Sequence, residues 1–159
     1  MFDETAERLL SDARFIERYH PEALIGFGGS AVVYRAVQRS TRRLVAVKVG
    51  IGRWTPELAE RFVREARTLS SFRHPGFLRV FDFGVAAGQP YMAMELATGG
   101  SLRTRLEREK RFSLTEVRDL MVPCLNALHA CHEAGVVHRD LKPENILFGE
   151  GGRACLADF

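Results

Sequence analysis

The run His138-Arg139-Asp140-Leu141-Lys142-Pro143-Glu144-Asn145 places an aspartate, a lysine two residues on and an asparagine five residues on in one short stretch. Three separate functions follow from those types. Asp140 can orient a hydroxyl and accept its proton, Lys142 can hold a transferring phosphate, and Asn145 offers a neutral oxygen to a magnesium ion. Eighteen residues after Asp140, the run Leu156-Ala157-Asp158-Phe159 offers Asp158 as the main magnesium ligand, bridging metal to phosphate. Magnesium takes few protein oxygens when substrate phosphates complete its shell. The chemistry these residues could do together is phosphoryl transfer.

Two further pieces lie upstream. Gly26-Phe27-Gly28-Gly29-Ser30-Ala31 stands between two strand-like runs. Small residues let backbone amides approach an anion closely. A Rossmann glycine pattern opens a helix, whereas here a valine-rich strand follows, so the choice is between a lid over phosphates and a plain hairpin turn. In Val45-Ala46-Val47-Lys48 a lysine ends an apolar strand, where its ammonium can meet α- and β-phosphates. Its burial would be costly without an anion. Glu65 is the candidate partner, three residues after Phe62 and four before Leu69, near the buried side of its helix. A surface glutamate is the plain alternative.

The elements that must position these groups are legible in outline. Residues 3–17 read as one amphipathic helix, carrying Ala6, Leu9, Leu10, Ala13 and Ile16 and ended by Pro21. Strands follow at 23–25, 31–36 and 44–49, a β-meander with short connections. Thr55-Pro56-Glu57 starts a helix whose apolar stripe is Leu58, Phe62, Ala66 and Leu69. Residues 77–83 and 91–96 look like two more strands, joined by a turn holding Gly84, Gly88 and Pro90. Thr98-Gly99-Gly100 reads as a flexible joint between two lobes. Ser113-Leu114-Thr115-Glu116 is a capping box, and its helix runs to about Glu133, closes at Gly135 and is kinked at Pro123. The organisation expected is a helical extension over 1–19, a first lobe over 20–97 and a partial second lobe over 98–159.

Bulk properties narrow the class. With 159 residues, 46% hydrophobic and 27% charged, the chain fits one globular domain with a core rather than a disordered segment. The net charge of +3 is scattered. The densest basic run, Arg103 to Arg111, is broken by Glu107 and Glu109 and reads as a solvated helix face, so no nucleic-acid partner is expected. Cys124, Cys131 and Cys155 fit no zinc spacing and read as buried reduced thiols. No apolar stretch approaches a membrane span, and the acidic N-terminus is unlike a signal peptide, so a cytoplasmic location is expected.

From about residue 20 to residue 159 the chain resembles eukaryotic-type serine/threonine protein kinases, including their bacterial members. The resemblance implies an α+β fold of two lobes: a complete small lobe of antiparallel sheet plus one helix, and the first part of a helical large lobe. It implies ATP and Mg2+ as cofactors and protein Ser/Thr hydroxyls as acceptors. Ile25, Gly26, Phe27, Gly28, Gly29, Ser30 and Lys48 would hold the nucleotide, with alanine at 31 replacing the third glycine. Lys48 would be held by Glu65. Met94 looks like the gatekeeper and Glu95-Leu96-Ala97 like the hinge, while Val33, Ala46 and Leu147 would sandwich the adenine. Leu69, Val80, His138 and Phe159 resemble the column linking the lobes. Arg139 before Asp140 resembles kinases switched on by activation-loop phosphorylation. Lys142-Pro143-Glu144 resembles the serine/threonine branch and separates the chain from small-molecule phosphotransferases of the same fold. The pattern ends at Phe159, before the activation loop and the later helices. A catalytically inactive module that binds nucleotide or a partner is therefore the alternative reading.

Overall fold

The computed structural model describes residues 4–71, 74–109 and 111–158, and of Thr5, Glu65 and Leu69 it describes the main chain only. These residues fall into two compact units. One comprises 4–71 with Arg79–Leu96, the other 74–78 with 97–158.

The first unit is a five-stranded antiparallel sheet of β1 (Tyr19–Phe27), β2 (Ala31–Gln38), β3 (Arg43–Gly50), β4 (Val80–Ala86) and β5 (Gln89–Glu95), in the order β1-β2-β3-β5-β4. Period-two alternation gives β3 two unlike faces. Val45, Val47 and Val49 are fully buried on one. Ala46 and Lys48 occupy the other, across from Met94 and Met92 of β5, and Val33 of β2 is the partner of Lys48 on its far side.

The valine face is covered by the N-terminal segment. A single helix over 3–17 was the sequence expectation; instead α1 (Glu4–Leu10) and α2 (Ala13–Arg18) are separated by Ser11 and Asp12. Asp12 is extended, and its Oδ1 accepts from the amides of Arg14 and Phe15, so a good N-cap restarts the helix. The break lets Ala6, Leu9 and Phe15 all reach the core beside Val45, Val47 and Val49. Pro21 does not end the helix. It lies inside β1 opposite Ala36, next to a bulge before Ala23, a place where a sheet tolerates proline.

Helix α3 (Pro56–Ser71) follows Thr55, whose hydroxyl accepts from the Leu58 amide. Of the expected stripe, Ala66 is buried and Phe62 half-buried, whereas Leu58 is 47% exposed and Ala59 beside it is buried; the Leu69 side chain lies outside the described residues. The α3 start is also fixed by Trp54, which stacks edge-on against Phe62 and lies flat on Gly50, where a Cβ would stand 2.7 Å from the indole.

The strand expected over 77–83 divides. Phe77 pairs with Leu156 in the second unit, and only from Val80 does the chain join β5. The β4–β5 turn is Ala87-Gly88 alone, both at positive φ, with Gly84 and Pro90 inside the strands.

The second unit holds α4 (Leu102–Glu109), α5 (Leu114–Glu133) and a hairpin of β6 (Ile146–Phe148) with β7 (Ala154–Leu156). The capping box forms as expected, Ser113 and Glu116 each bonding the other's amide, and α5 passes through Pro123 to end before Gly135 at φ 72. Gly99 is not a free joint: its amide donates to the Phe148 carbonyl, and the Phe148 amide donates to Gly100. Its missing side chain admits Phe148, whose Cβ would be 2.6 Å from a Cβ placed there. The core packs Leu120, Cys124, Ala127 and Cys131 of α5 against Ile146, Phe148 and Leu156. All three cysteines are reduced and buried, and burial pushes the Cys124 thiol up to about 11. No helix among the described residues is long and apolar enough to cross a membrane.

Candidate active site

The loop between α5 and β6 folds onto itself. The Asp140 amide donates to the His138 carbonyl at 2.8 Å around Arg139, which has φ 64. An i→i+2 bond about a positive-φ residue is the rare, strained hand of γ-turn. A single 3₁₀ turn, Pro143–Asn145, then brings Asn145 back toward Asp140. Asn145 is buried, and its Nδ2 donates to both Oδ2 and the main-chain oxygen of Asp140, at 2.9 and 2.8 Å. Lys142 Nζ reaches the same Oδ2 at 2.6 Å.

Two consequences follow for Asp140. The hydrogen bond from Lys142, then that from Asn145, holds its carboxyl below the ordinary aspartate value, and Asp140 in turn raises the Lys142 ammonium. Both donors converge on Oδ2, and among the described residues no hydrogen bond occupies Oδ1. One carboxylate oxygen is anchored and the other remains to take a proton.

Asn145 also links this loop to Asp158. Its carbonyl accepts from the Ala157 amide at 2.9 Å, one residue before Asp158. Asp158 is exposed at φ 57, a left-handed conformation that costs a non-glycine residue on the order of 1–2 kcal/mol and that aspartate tolerates better than most. With Nδ2 committed to Asp140, the Asn145 Oδ1 is turned away from it, and no described hydrogen bond engages that oxygen. A neutral amide oxygen and a carboxylate are hard ligands, few in number. The residues present thus fit magnesium with phosphate oxygens completing the shell.

Sequence reasoning missed Arg103 of α4. Its Nε meets Glu144 Oε1 at 2.8 Å, tying α4 to the 3₁₀ turn that carries Asn145. Arg103 holds the Glu144 carboxyl low, and Glu144 raises the guanidinium. Within the basic run, Arg103 and Arg108 are exposed as expected of a solvated face; Arg105 meets Glu109 at 2.9 Å and lies over the rings of Phe112 and Phe148, and Arg108 meets Glu109 at 2.7 Å.

In the first unit, Val33, Ala46, Lys48, Met92 and Met94 share one sheet face. The side chain of Glu65 lies outside the described residues, so its expected pairing with Lys48 does too. Ile25 and Phe27 are exposed near and at the end of β1, Phe27 by 75%. The turn beyond them is closed by the Gly28 amide donating to the Ala31 carbonyl at 2.8 Å. None of Gly26, Gly28 and Gly29 has a positive φ. A Cβ at Gly29 would meet nothing within 4 Å, and at Gly28 only the Ala31 carbonyl at 3.6 Å. The fold itself therefore does not require glycine at these two positions, whereas a ligand approaching the amides would. Glu95 ends β5 in the first unit, while Ala97 and Leu147 belong to the second, where Leu147 pairs with Cys155 and Ser101. Of the expected column, Val80 is half-buried and His138 is 3% exposed; the Leu69 side chain and Phe159 fall outside the described residues.

A five-stranded antiparallel sheet with one packed helix, a lysine on its inner strand and a helical unit carrying the Asp140 loop define a protein-kinase-like fold. Comparison with known proteins agrees. The model of the protein kinase domain matches residues 19–159, and the chain belongs to that family. Among curated relatives, the serine/threonine-protein kinase PknA of Mycobacterium tuberculosis is 40% identical over 149 residues, covering 89% of this chain and 35% of its own. The serine/threonine-protein kinase PknL of the same species is 38% identical over 152 residues, 94% of this chain and 38% of its own. The probable serine/threonine-protein kinase pknA2 of Bifidobacterium longum is 37% identical over 153 residues, 92% of this chain and 20% of its own. The chain thus spans well under half the length of these relatives.

Proposed function

We propose that the full-length protein is a serine/threonine protein kinase, transferring the γ-phosphoryl of ATP to serine or threonine hydroxyls of protein acceptors. The observation that carries this reading is the asymmetry of Asp140. Its Oδ2 is held by Lys142 at 2.6 Å and by Asn145 at 2.9 Å, which orients Oδ1 to receive a hydroxyl proton. The acceptor oxygen then bonds to the γ-phosphorus as the bond to the β,γ-bridging oxygen breaks and ADP departs. Lys142, beside Asp140, offsets negative charge on the phosphoryl group in flight. Lys48, for which Glu65 is the partner the family resemblance assigns, holds the α- and β-phosphates, and the glycine-rich turn from Gly26 to Ser30 lies over them. Val33, Ala46, Met94 and Glu95 of the first unit and Ala97 and Leu147 of the second are the residues that the family resemblance would assign to the adenine. Asn145 and Asp158 hold Mg2+, which when bound neutralises phosphate charge.

The choice of serine and threonine over tyrosine is supported by Lys142-Pro143-Glu144 and by the likeness to the serine/threonine-protein kinases PknA and PknL. The three reduced, buried thiols fit a cytoplasmic setting for this domain.

The test is phosphate transfer from labelled ATP by the full-length protein to a serine- and threonine-containing acceptor such as casein, with analysis of the phosphoamino acids. Label on serine or threonine that disappears in Asp140→Asn, with ATP affinity kept within a few-fold, is the expected result. Undiminished turnover by Asp140→Asn, or label only on small molecules, refutes the proposal.

A further inference from the structure

Residues 74–78 belong with the second unit, although α3 and β4 on either side of them in sequence belong to the first. The contacts that hold them converge on β7. The Leu156 amide donates to Gly76 at 2.8 Å, and the Leu78 amide donates back to Leu156 at 3.3 Å, so the segment runs as a short parallel partner to the strand that leads into Asp158. From behind, Gly76 is pressed onto α5, where a Cβ would stand 2.7 Å from both the Ala127 methyl and the Pro123 carbonyl.

One side chain closes this arrangement. Nη1 of Arg153, at the entry to β7, lies within hydrogen-bond reach of the Pro75 carbonyl, the Phe77 carbonyl at 3.3 Å and the Cys155 Sγ at 2.9 Å. Neither carbonyl takes part in the strand pairing, which uses the groups of Gly76 and Leu78. Arg153 therefore supplies donors to the two oxygens that the parallel pairing leaves over. A planar guanidinium can serve several acceptors at once, which an ammonium at the same place does less well.

Resting on the reading of Asp158 as a metal ligand, we propose that Arg153 is a positioning residue for Asp158: it clamps residues 75–77 against β7 and so fixes the main chain that delivers that carboxylate. The strand is held on its other side by β6, with Ile146 opposite Leu156 and Ala157 bonded to Asn145. Only Ala157 separates Leu156, the last residue of the pairing, from Asp158, whose φ of 57 persists only while its neighbours dictate it. Slackening the 75–77 side releases that constraint, while Asp140, Lys142 and Asn145 keep their mutual bonds.

The experiment is calorimetric binding of the β,γ-imido analogue of ATP to the full-length protein, with and without Mg2+. Wild type is expected to bind more tightly with the metal. In Arg153→Met that metal-dependent gain should fall at least fivefold while metal-free affinity stays within twofold, and Arg153→Lys should lie between. A general loss of structure would instead lower the binding stoichiometry and melting temperature and leave the gain intact. That outcome, or an unaltered gain in a well-folded Arg153→Met, overturns the proposal. Should Arg153→Met fail to fold, Arg153→Lys decides: a reduced gain supports the clamp and an unchanged one overturns it. Absence of nucleotide binding by wild type would instead bring down the kinase reading, and the clamp with it.

Discussion

Asn145 grips Asp140 twice, once at the carboxylate and once at the peptide oxygen behind it, through the two hydrogens of a single amide at 2.9 and 2.8 Å. A carboxylate held only at its tip can swing about its own backbone. Held at both points it cannot, and Lys142 then adds charge to the same oxygen.

The Asp140 carboxyl, kept low by Lys142 and Asn145, should titrate in the native protein below the ordinary value of 3.8. The sign follows from linkage: a depressed native pKa contributes stability above the unfolded value, and that contribution is lost as pH falls through the native one. Lys142→Met should move the Asp140 midpoint upward, as followed by NMR of 13C-labelled aspartate carboxyls. An unchanged midpoint would show that the 2.6 Å pair has no electrostatic consequence.

The Arg103–Glu144 pair is half-exposed, with side chains 49% and 43% accessible, so solvent screens it and its removal should change stability little. Its effect should lie in rate, because Glu144 is in the turn that carries Asn145. Arg103→Glu is expected to lower kcat about threefold at constant KM for ATP. The swap of Arg103→Glu with Glu144→Arg should restore kcat. A shift in KM alone, or failure of the swap, would argue against this linkage.

Ala87 has φ 48 and Gly88 φ 76 in the two-residue connection of β4 to β5. Positive φ at both central residues is the hairpin geometry that Asn-Gly favours and alanine resists. Ala87→Asn should therefore stabilise the protein by about 0.5–1 kcal/mol, raising Tm by roughly 1–4 °C. A lower Tm would contradict the assigned turn.

Asp82 of β4 gathers three donors: Tyr19 Oη at 2.6 Å, Arg18 Nη2 at 2.8 Å and, more weakly, Tyr91 Oη at 3.5 Å. Burial first, and then Asp82, raises both tyrosine hydroxyls, so their stabilising contribution is complete below the ordinary tyrosine value of 10.0 and is lost only as pH rises toward the native values. Asp82→Ala leaves the Tyr19 hydroxyl without its acceptor and should cost about 1–3 kcal/mol. In Tyr19→Phe the same substitution should cost measurably less, which urea unfolding of the four variants would show. Equal costs in both backgrounds would mean the two side chains are not coupled.

What the sequence disclosed and what it concealed divide by distance along the chain. Asp140, Lys142 and Asn145 lie within six residues, and their contacts are with one another, so their types and spacing carry most of the geometry. The Ser113 capping box and the strand alternation of β3 are equally local. Arg103 with Glu144, Arg18 with Asp82 and Arg153 with Pro75 join residues far apart, and no periodicity announces which arginine among twenty will find which acceptor. Two misreadings had local remedies. Asp12 carries the signal of a helix restart, and the proline at 21 marks a bulged strand as readily as a helix end. The division at Phe77–Leu78 had none, since the apolar run through Phe83 is indifferent to whether β7 or β5 pairs with it.

The family pattern begins at residue 19, yet Ala6, Leu9 and Phe15 are buried among Val45, Val47 and Val49. A shortened version that starts where the pattern starts would turn that valine-lined surface to water. Such a protein should be prone to clump on expression even with every residue around Asp140 intact, and poor solubility in it would reflect the lost cover rather than a defect in the chemistry.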